Sequence, residues 1–495
     1  MLPPYLRLMK SLHELPDADL RVFDRPAAPA PDAIRDVFLI GICGTGMGSL
    51  AGLLQEAGLR VRGSDEAAYP PMSTRLRAAG IEVLEGFDAA HLDPAPGLVV
   101  VGNACTPRHV EAAYAREHGL AQLSLPEALA HFFLGTRRPL VVAGTHGKTT
   151  TTGMLAHVLG DAGLDPGFLV GGVMVGAETS HRVGTGPHFV VEGDEYDSAY
   201  FDKRPKFLHY RPQSAIITSM EFDHADIYED LGDYREAFER FAVSVPEGGL
   251  LALWGDDPDV AALADHTRAL VRTYGTDESC YVTAHDIRRG EGGQRFTLVV
   301  GGEAVGEAFL PMSGLHNLRN ALGVAAVALH EGLTPEQVAH GLGTFRGMKR
   351  RQEVRGEAGG VLVVDDFAHH PTAVHETIAA IAERWPERRL VAVFEPRSNS
   401  SRRKVFEGPY GEAFDDAAEV FLSAPPLRHN DRPEDFLDAA ALAAAITARG
   451  TPASTFPDAE ALLPALVEAV RPGDVVLVMS NGSFGGLHER LLRAL

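Results

Sequence analysis

One stretch constrains this chain more than any other: "VVAGTHGKTTTTGMLAHVLGDAG", residues 141 to 163. An apolar run meets Gly144 and Gly147, continues through Lys148 into four consecutive threonines, and ends in a helical pattern. Glycines placed this way let backbone N–H groups converge on phosphate oxygens, and the helix that follows adds its positive end. The lysine of such a loop reaches the β- and γ-phosphates of a nucleotide, and the hydroxyl after it binds Mg2+. The other reading is a glycine-containing strand-to-helix turn with an incidental lysine. Lysine is scarce, however, occurring only at positions 10, 148, 203, 206, 349 and 404. The loop is also compact: Thr145 and His146 alone separate Gly144 from Gly147, a shorter spacing than the general G-x-x-x-x-G-K pattern.

A strand feeding a phosphate loop commits its surroundings to an α/β sheet, and the rest of the chain repeats the theme. Residues 1–35 end in "DRPAAPAPDAI", a Pro/Ala-rich extension expected to pack poorly. "DVFLIGICGTGMGSLAGLLQEAGLRVRGSD" then reads strand, glycine turn, helix, strand, and "GLVVVGNA" closes a first unit. A second unit starts near residue 138 and carries "HFVVEGDEYD", "SAIITSMEFDHAD" and the amphipathic helix "LHNLRNALGVAAVALHEG". "FRGMKRRQEVRGEAGG" reads as an interdomain hinge. A third unit follows, with strands in "VLVVDDFAHHP", "RLVAVFEPRSNSSRR", "AEVFLSAPP" and "DVVLVMSNGSFGG". Alternating strands and helices predict parallel sheets with ligands at the carboxyl ends of the strands. With 495 residues, about three domains are expected.

Charge narrows the partners. Against 45 Lys plus Arg stand 67 Asp plus Glu, a net charge of −22, which points away from nucleic acid and toward small anions in local basic pockets. No apolar run would cross a bilayer, and the start has neither an apolar signal core nor a small-residue cleavage site, so a cytoplasmic protein without membrane insertion is expected. Cys43, Cys105 and Cys280 are too few and too scattered for a disulfide framework or a zinc site, and are read as reduced core residues.

Three further motifs carry chemistry. In "VVEGDEYD" Glu192 directly follows a strand, with Asp194, Glu195 and Asp197 behind it; such an acidic loop is a Mg2+ ligand beside a phosphate loop or otherwise a solvated turn. "EFDHAD" sets His224 between Asp223 and Asp226, as a metal ligand or a structural hydrogen bonder. "GICGTGMGS" has glycines at 41, 44, 46 and 48, off the spacing of a dinucleotide fingerprint but suited to a diphosphate, while Asp65 sits where a ribose- or base-binding acid would lie. A dehydrogenase built on that turn would leave the phosphate loop and the acidic cluster unexplained. A non-catalytic nucleotide sensor is a further alternative.

Taken in order, "GTHGKTT", "EGDE", "FDHAD", "GLHNLRNA", "KRRQE" and "DDFAHHPT" resemble the motif series of the Mur ligases, the ATP-dependent amide-forming enzymes of peptidoglycan synthesis, over residues 36 to 495. The compact G-T-H-G-K-T loop matches the family's form. The resemblance implies three α/β domains: a Rossmann-like UDP-sugar-binding domain over 36–137, a P-loop ATPase domain over 138–347 and a Rossmann-like peptide-binding domain over 348–495. It also implies ATP and Mg2+, and a reaction in which a carboxylate is phosphorylated to an acyl phosphate that an amine then attacks.

By the same resemblance Gly144, Thr145, His146, Gly147, Lys148, Thr149 and Thr150 hold the ATP phosphates, with Thr149, Glu192 and His224 on magnesium. His316, Asn317 and Asn320 match the adenine-side motif, Arg351 an arginine that approaches the γ-phosphate, and Asp366 an acid near the ribose. Lys148, Glu192, His224 and Arg351 are the implied catalytic set. Gly44, Thr45, Gly46, Met47, Gly48, Ser64 and Asp65 match the sugar-nucleotide side. His369, in the same "DDFAHHPT" loop, is expected on the substrate side. Arg397, Ser398, Arg402 and Arg403 stand together at a strand end, where the arginine forks suit peptide carboxylates or, equally, form a solvated basic loop.

Within the family, "GICGTGMGSLAGLL" with "GSD" resembles the branch that uses UDP-N-acetylmuramate itself. "SDEAAYPPMS", "EYDSAYFDKRPKFLHYRP" and "SNGSFGGLHERLL" resemble members that attach a recycled murein tripeptide, L-Ala-γ-D-Glu-meso-diaminopimelate or a variant at its third residue, with L-alanine as the alternative amine. Two positions depart from the wider family. No lysine occurs between Lys206 and Lys349, which excludes the carbamylated lysine of several members, and Ser219 stands where asparagine is frequent.

Overall fold

The computed structural model describes residues 23–68, 72–222, 228, 230–290, 292–426 and 433–495. Its first sheet comprises β1 (Asp36–Ile40), β2 (Arg60–Asp65), β3 (Glu82–Glu85), β4 (Leu98–Val101) and β5 (Gln122–Ser124). All are parallel, in the order β3-β2-β1-β4-β5. The chain leaves β1 through the glycine turn and enters α1 (Thr45–Glu56) at the point where the strand order reverses, the position at which open α/β sheets bind ligands.

A larger sheet follows, with β6 (Arg138–Ala143), β7 (Gly167–Leu169), β8 (His181–Arg182) and β9 (His188–Gly193). Beside it β10 (Asp197–Ala199) and β11 (Asp202–Pro205) form a separate antiparallel hairpin. The sheet continues with β12 (Ser214–Ile217), β13 (Leu250–Trp254), β14 (Leu270–Tyr274), β15 (Val282–Gly290), β16 (Gly293–Val300) and β17 (Glu303–Leu310), giving the order β17-β16-β15-β14-β13-β12-β6-β9-β7-β8. Its middle is parallel and apolar on both faces, because α2 (Lys148–Asp161) and α3 (Leu315–His330) cover one side, while the helix Leu231–Ser244 and residues of the first unit share the core on the other. The antiparallel run β15–β17 was not anticipated. Its strands are mixed apolar and polar, as one exposed face requires, and lack the continuous apolar signature.

The third sheet has β18 (Glu353–Ala358), β19 (Val361–Asp366), β20 (Leu390–Phe394), β21 (Glu419–Ser423), β22 (Ala453–Phe456) and β23 (Val475–Met479), ordered β18-β19-β23-β20-β21-β22. Here α4 (Pro371–Arg384) follows β19. The expected hinge is shorter than its charged sequence implied: β18 occupies residues 353–358 and pairs antiparallel with β19. The N-terminal stretch also differs from a free linker. Arg25 makes a two-pronged pair with Glu127 and lies 4.0 Å from the centre of the Phe201 ring, long-range partners that composition cannot disclose.

Candidate functional site

The phosphate loop is built by backbone geometry that excludes side chains. Gly144 (φ 132°) leaves β6, and a Cβ there would lie 2.2 Å from Thr218 Oγ1. Gly147 (φ 78°) caps α2 in the left-handed region, and a Cβ would lie 2.7 Å from Asn320 Oδ1. The loop is tied to the segment after β12: the His146 N–H donates to Ser219 Oγ at 2.9 Å, and the Thr145 N–H donates to the Ser219 carbonyl at 3.2 Å. Thr218 Oγ1 donates to the His146 carbonyl at 2.5 Å. Ser219, whose role the sequence left open, is thus the loop's main tether.

Lys148 opens α2 with its ammonium against the Gly144 carbonyl (2.6 Å) and Glu195 Oε2 (2.7 Å). Burial works to lower its pKa, but Glu195, Asp194 and Glu192 outweigh burial and the net direction is up, so the charge is held. Thr149 Oγ1 lies 3.1 Å from Glu192 Oε2. Glu192 is inside β9, one residue from its carboxyl end, because the strand runs two residues further than the sequence reading put it. Burial and the neighbouring Asp194 push its carboxyl up to about 7, against the Gly171 N–H, Lys148 and Thr149. A hydroxyl and a carboxylate are the hard oxygen donors that Mg2+ takes, and a cation there would relieve the crowded acids. These residues fit the ion. His224, together with Tyr69, Pro70 and Pro71 of the "SDEAAYPPMS" stretch, lies outside the described residues.

A pocket joins the central and third units. His146, Gly147 and Thr150 from the loop line it with Asn317 and Asn320 of α3, and Arg351 and Asp366 face them from the third unit. Asn320 sits against the phosphate loop, its Oδ1 2.7 Å from where a Cβ on Gly147 would lie. Asn317 Nδ2 donates to the Ser313 carbonyl at 2.7 Å. His316 Nε2 is 3.2 Å from Gln352 Nε2, which makes the imidazole nitrogen the acceptor; burial lowers its pKa, in keeping with a neutral ring. Asp366 accepts from the backbone N–H groups of Gln352 (2.8 Å) and Ala368 (2.7 Å). Burial raises its pKa, partly offset by Arg351; burial likewise lowers that of Arg351, opposed by Asp366 and Glu192. Glu195, Glu221 and Gln352 belong to this site although no role was given to them. All three stand within quoted motifs, so the signal was adjacency.

In the first unit, Asp65 Oδ2 accepts from the Cys43 N–H at 2.8 Å and so braces the glycine turn that carries Gly44, Thr45, Gly46, Met47 and Gly48. Ser64 corrects the expectation: its hydroxyl is buried and donates to Glu111 Oε2 at 2.5 Å, because an interior carboxylate needs a donor. Arg402 is corrected too. It is buried, with its guanidinium on the Pro426 carbonyl (2.7 Å) and 4.7 Å from the Phe436 ring centre, so it shapes the loop instead of presenting a fork. Ser398 closes a turn with Ser401 Oγ at 2.8 Å. Arg397 remains half-exposed beside Gly482. His369 is half-buried, its Nδ1 3.0 Å from the Phe367 carbonyl, and its own carbonyl accepts from the Tyr410 hydroxyl.

Three α/β units on mainly parallel sheets, with one phosphate loop that faces an arginine and an acid of the third unit across a pocket, define a nucleotide-dependent enzyme of the α/β class. Comparison with known proteins agrees with this. Family models match throughout: the Mur ligase family catalytic domain at residues 36–137, the Mur ligase middle domain at 142–328 and the Mur ligase glutamate ligase domain at 350–482. The chain belongs to the Mur ligase family of ATP-dependent ligases. It is 39% identical to the UDP-N-acetylmuramate–L-alanyl-γ-D-glutamyl-meso-2,6-diaminoheptandioate ligase of Escherichia coli, over 93% of this chain and 98% of that one. With the UDP-N-acetylmuramate–L-alanine ligase of Salinibacter ruber the identity is 36%, over 94% and 96%. Among solved structures, a murein peptide ligase from Psychrobacter arcticus superposes with TM-score 0.70 at 34% identity over 93% of this chain and 98% of that one. The UDP-N-acetylmuramate–alanine ligase of Thermotoga maritima superposes with TM-score 0.75 at 25% identity, over 92% and 98%. Among the described residues no helix is long and apolar enough to cross a membrane.

Proposed function

We propose that this chain uses Mg2+-ATP to join the lactyl carboxylate of UDP-N-acetylmuramate to the amino group of a murein tripeptide, L-Ala-γ-D-Glu-meso-diaminopimelate or a variant at the third residue, in the cytoplasm. The observation that carries the reading is that the phosphate loop faces Arg351 and Asp366 of the third unit across one pocket, lined by its own His146, Gly147 and Thr150, while Lys148 and Thr149 of the same loop meet Glu195 and Glu192 beside it. Lys148 neutralises phosphate charge, Arg351 adds a second cation from the third unit, and Glu192 and Thr149 would hold the magnesium ion. Bound ATP supplies the phosphoryl group that turns a poor acyl donor into a good one; positioning and charge neutralisation are what the protein contributes. The domain division is 36–137 for the sugar nucleotide, 138–347 for ATP and 348–495 for the peptide. Asp65 and the glycine turn serve the first, and Arg397 with His369 the last.

The tripeptide is preferred because the relative named for it matches at 39% across almost the whole of both chains. The L-alanine reading is kept alive by the higher TM-score of the alanine ligase structure, 0.75 against 0.70. ADP release with Mg2+-ATP and UDP-N-acetylmuramate, comparing L-alanine with tripeptides varied at the third residue, separates the two. Release driven by tripeptide and not by L-alanine supports the proposal, and the reverse moves the chain to the alanine branch. Release with neither amine would overturn the acceptor assignment.

A further inference from the structure

His146, Glu221 and His370 form a cluster at the edge of the nucleotide pocket, and the ligase reading gives their side chains no metal to hold. His146 belongs to the phosphate loop, Glu221 follows β12, and His370 precedes α4 of the third unit. His146 Nε2 lies 3.4 Å from Glu221 Oε2, and His370 Nδ1 lies 3.7 Å from the same oxygen. One ligand atom from each residue falls within 4.8 Å of the others, and the two imidazole rings are 4.6 Å apart centre to centre. Thr372 Oγ1 donates to Glu221 Oε2 at 2.6 Å and fixes the carboxylate.

We propose that this triad is a binding site for a zinc-class divalent cation that fastens the third unit to the phosphate loop. A tetrahedral ion with metal–ligand distances of roughly 2.0–2.1 Å sets its ligand atoms about 3.3–3.4 Å apart, close to the 3.4 Å and 3.7 Å that separate the two imidazoles from Glu221 Oε2. Two imidazoles and one carboxylate are a zinc donor set, whereas Mg2+ prefers oxygen alone, so this site is chemically distinct from the Thr149–Glu192 pair. Three protein ligands leave a fourth position for water or an anion. Glu221 stays ionised and able to bind: burial pushes its pKa up, but His146, Thr372 and His370 more than reverse that, and the net direction is down. Two ligands come from the central unit and one from the third, and His146 and Glu221 both line the nucleotide pocket. An ion here therefore ties the two units together at the edge of that pocket.

The test is metal binding to the full-length protein in excess Mg2+ and without nucleotide, read by Zn2+ calorimetry and by the visible spectrum of Co2+. The readout does not depend on the ligase assignment. Wild type is expected to bind one more equivalent of Zn2+ than Glu221→Gln or His370→Asn, and to give the intense Co2+ bands of a four-coordinate ion. Glu192→Gln is expected to retain both. Thr372→Val keeps all three ligands but frees the carboxylate, and is expected to weaken binding about tenfold or more. Circular dichroism identifies any variant that fails to fold, and Thr372→Val then carries the test. Equal stoichiometry and affinity in wild type and the folded ligand variants would overturn the proposal, as would a weak six-coordinate Co2+ spectrum.

Discussion

Lys148 Nζ lies 2.7 Å from Glu195 Oε2, with the two side chains 13% and 1% exposed. The partner of the phosphate-loop lysine is thus a buried carboxylate from the segment after β9. Removing one member of such a pair strands the other, at a cost of about 3–5 kcal/mol. Glu195→Gln is therefore expected to lower unfolding free energy in urea by about 3 kcal/mol. The double change Lys148→Met with Glu195→Leu should cost less than the sum of the single changes. Additive losses would mean that the two side chains are not coupled.

Glu331 supplies a pH-dependent contribution. Its carboxylate, 1% exposed, receives Arg138, His188 and Ser214, the first residues of β6, β9 and β12, and so ties three strand starts to the end of α3. Burial would raise its pKa, but His188, Ser214 and Arg138 win and draw it down to about 2 from the ordinary 4.5. A depressed folded pKa contributes stability that is present in full above the unfolded value and is lost as pH falls toward the folded one. The contribution is up to about 3 kcal/mol at neutral pH. Glu331→Gln should therefore cost most at pH 7 and about half as much near pH 3, in paired urea titrations. A cost that does not change with pH would remove the carboxylate's charge from the explanation.

The strands and the phosphate loop were legible because their signals are local: apolar runs of strand length and glycines beside a lysine. The order of motifs did the rest for Glu192, Arg351 and Asp366. What escaped was decided by distant partners. Arg402 reads as a fork until Pro426 and Phe436 cover it, and Ser64 reads as a binding hydroxyl until Glu111 claims it. Ser219 showed only a departure from pattern, since nothing near it in sequence reveals that the His146 N–H points at its hydroxyl.

That hydrogen bond makes Ser219 testable. Ser219→Ala leaves the His146 N–H without its acceptor, at about 1–1.5 kcal/mol. On the proposed assignment the loop presents N–H groups to phosphate, so the loss should fall on ATP binding, as a rise in KM for ATP of about five- to tenfold with a smaller change in kcat. Steady-state kinetics at varied ATP would show it; a fall confined to kcat would mean that the tether acts on the chemical step.

Arg351 is the sharpest probe of closure. It is half-buried, its guanidinium carbon 4.9 Å from the Phe367 ring centre, and it lines the nucleotide pocket opposite the phosphate loop, within the electrostatic reach of Asp366 and Glu192. If its cation neutralises charge on the transferring phosphoryl group, its effect belongs in the transition state, as for arginines supplied to phosphoryl transfer by a closing partner. Arg351→Ala should lower kcat by about a thousandfold while leaving ATP affinity, measured by calorimetry without the sugar acid, within about fivefold of wild type. Arg351→Lys should rescue little, because a lysine ammonium is a point charge without the planar fork. Equal losses in ATP binding and in kcat would make Arg351 a ground-state binder and would leave the neutralising role to Lys148.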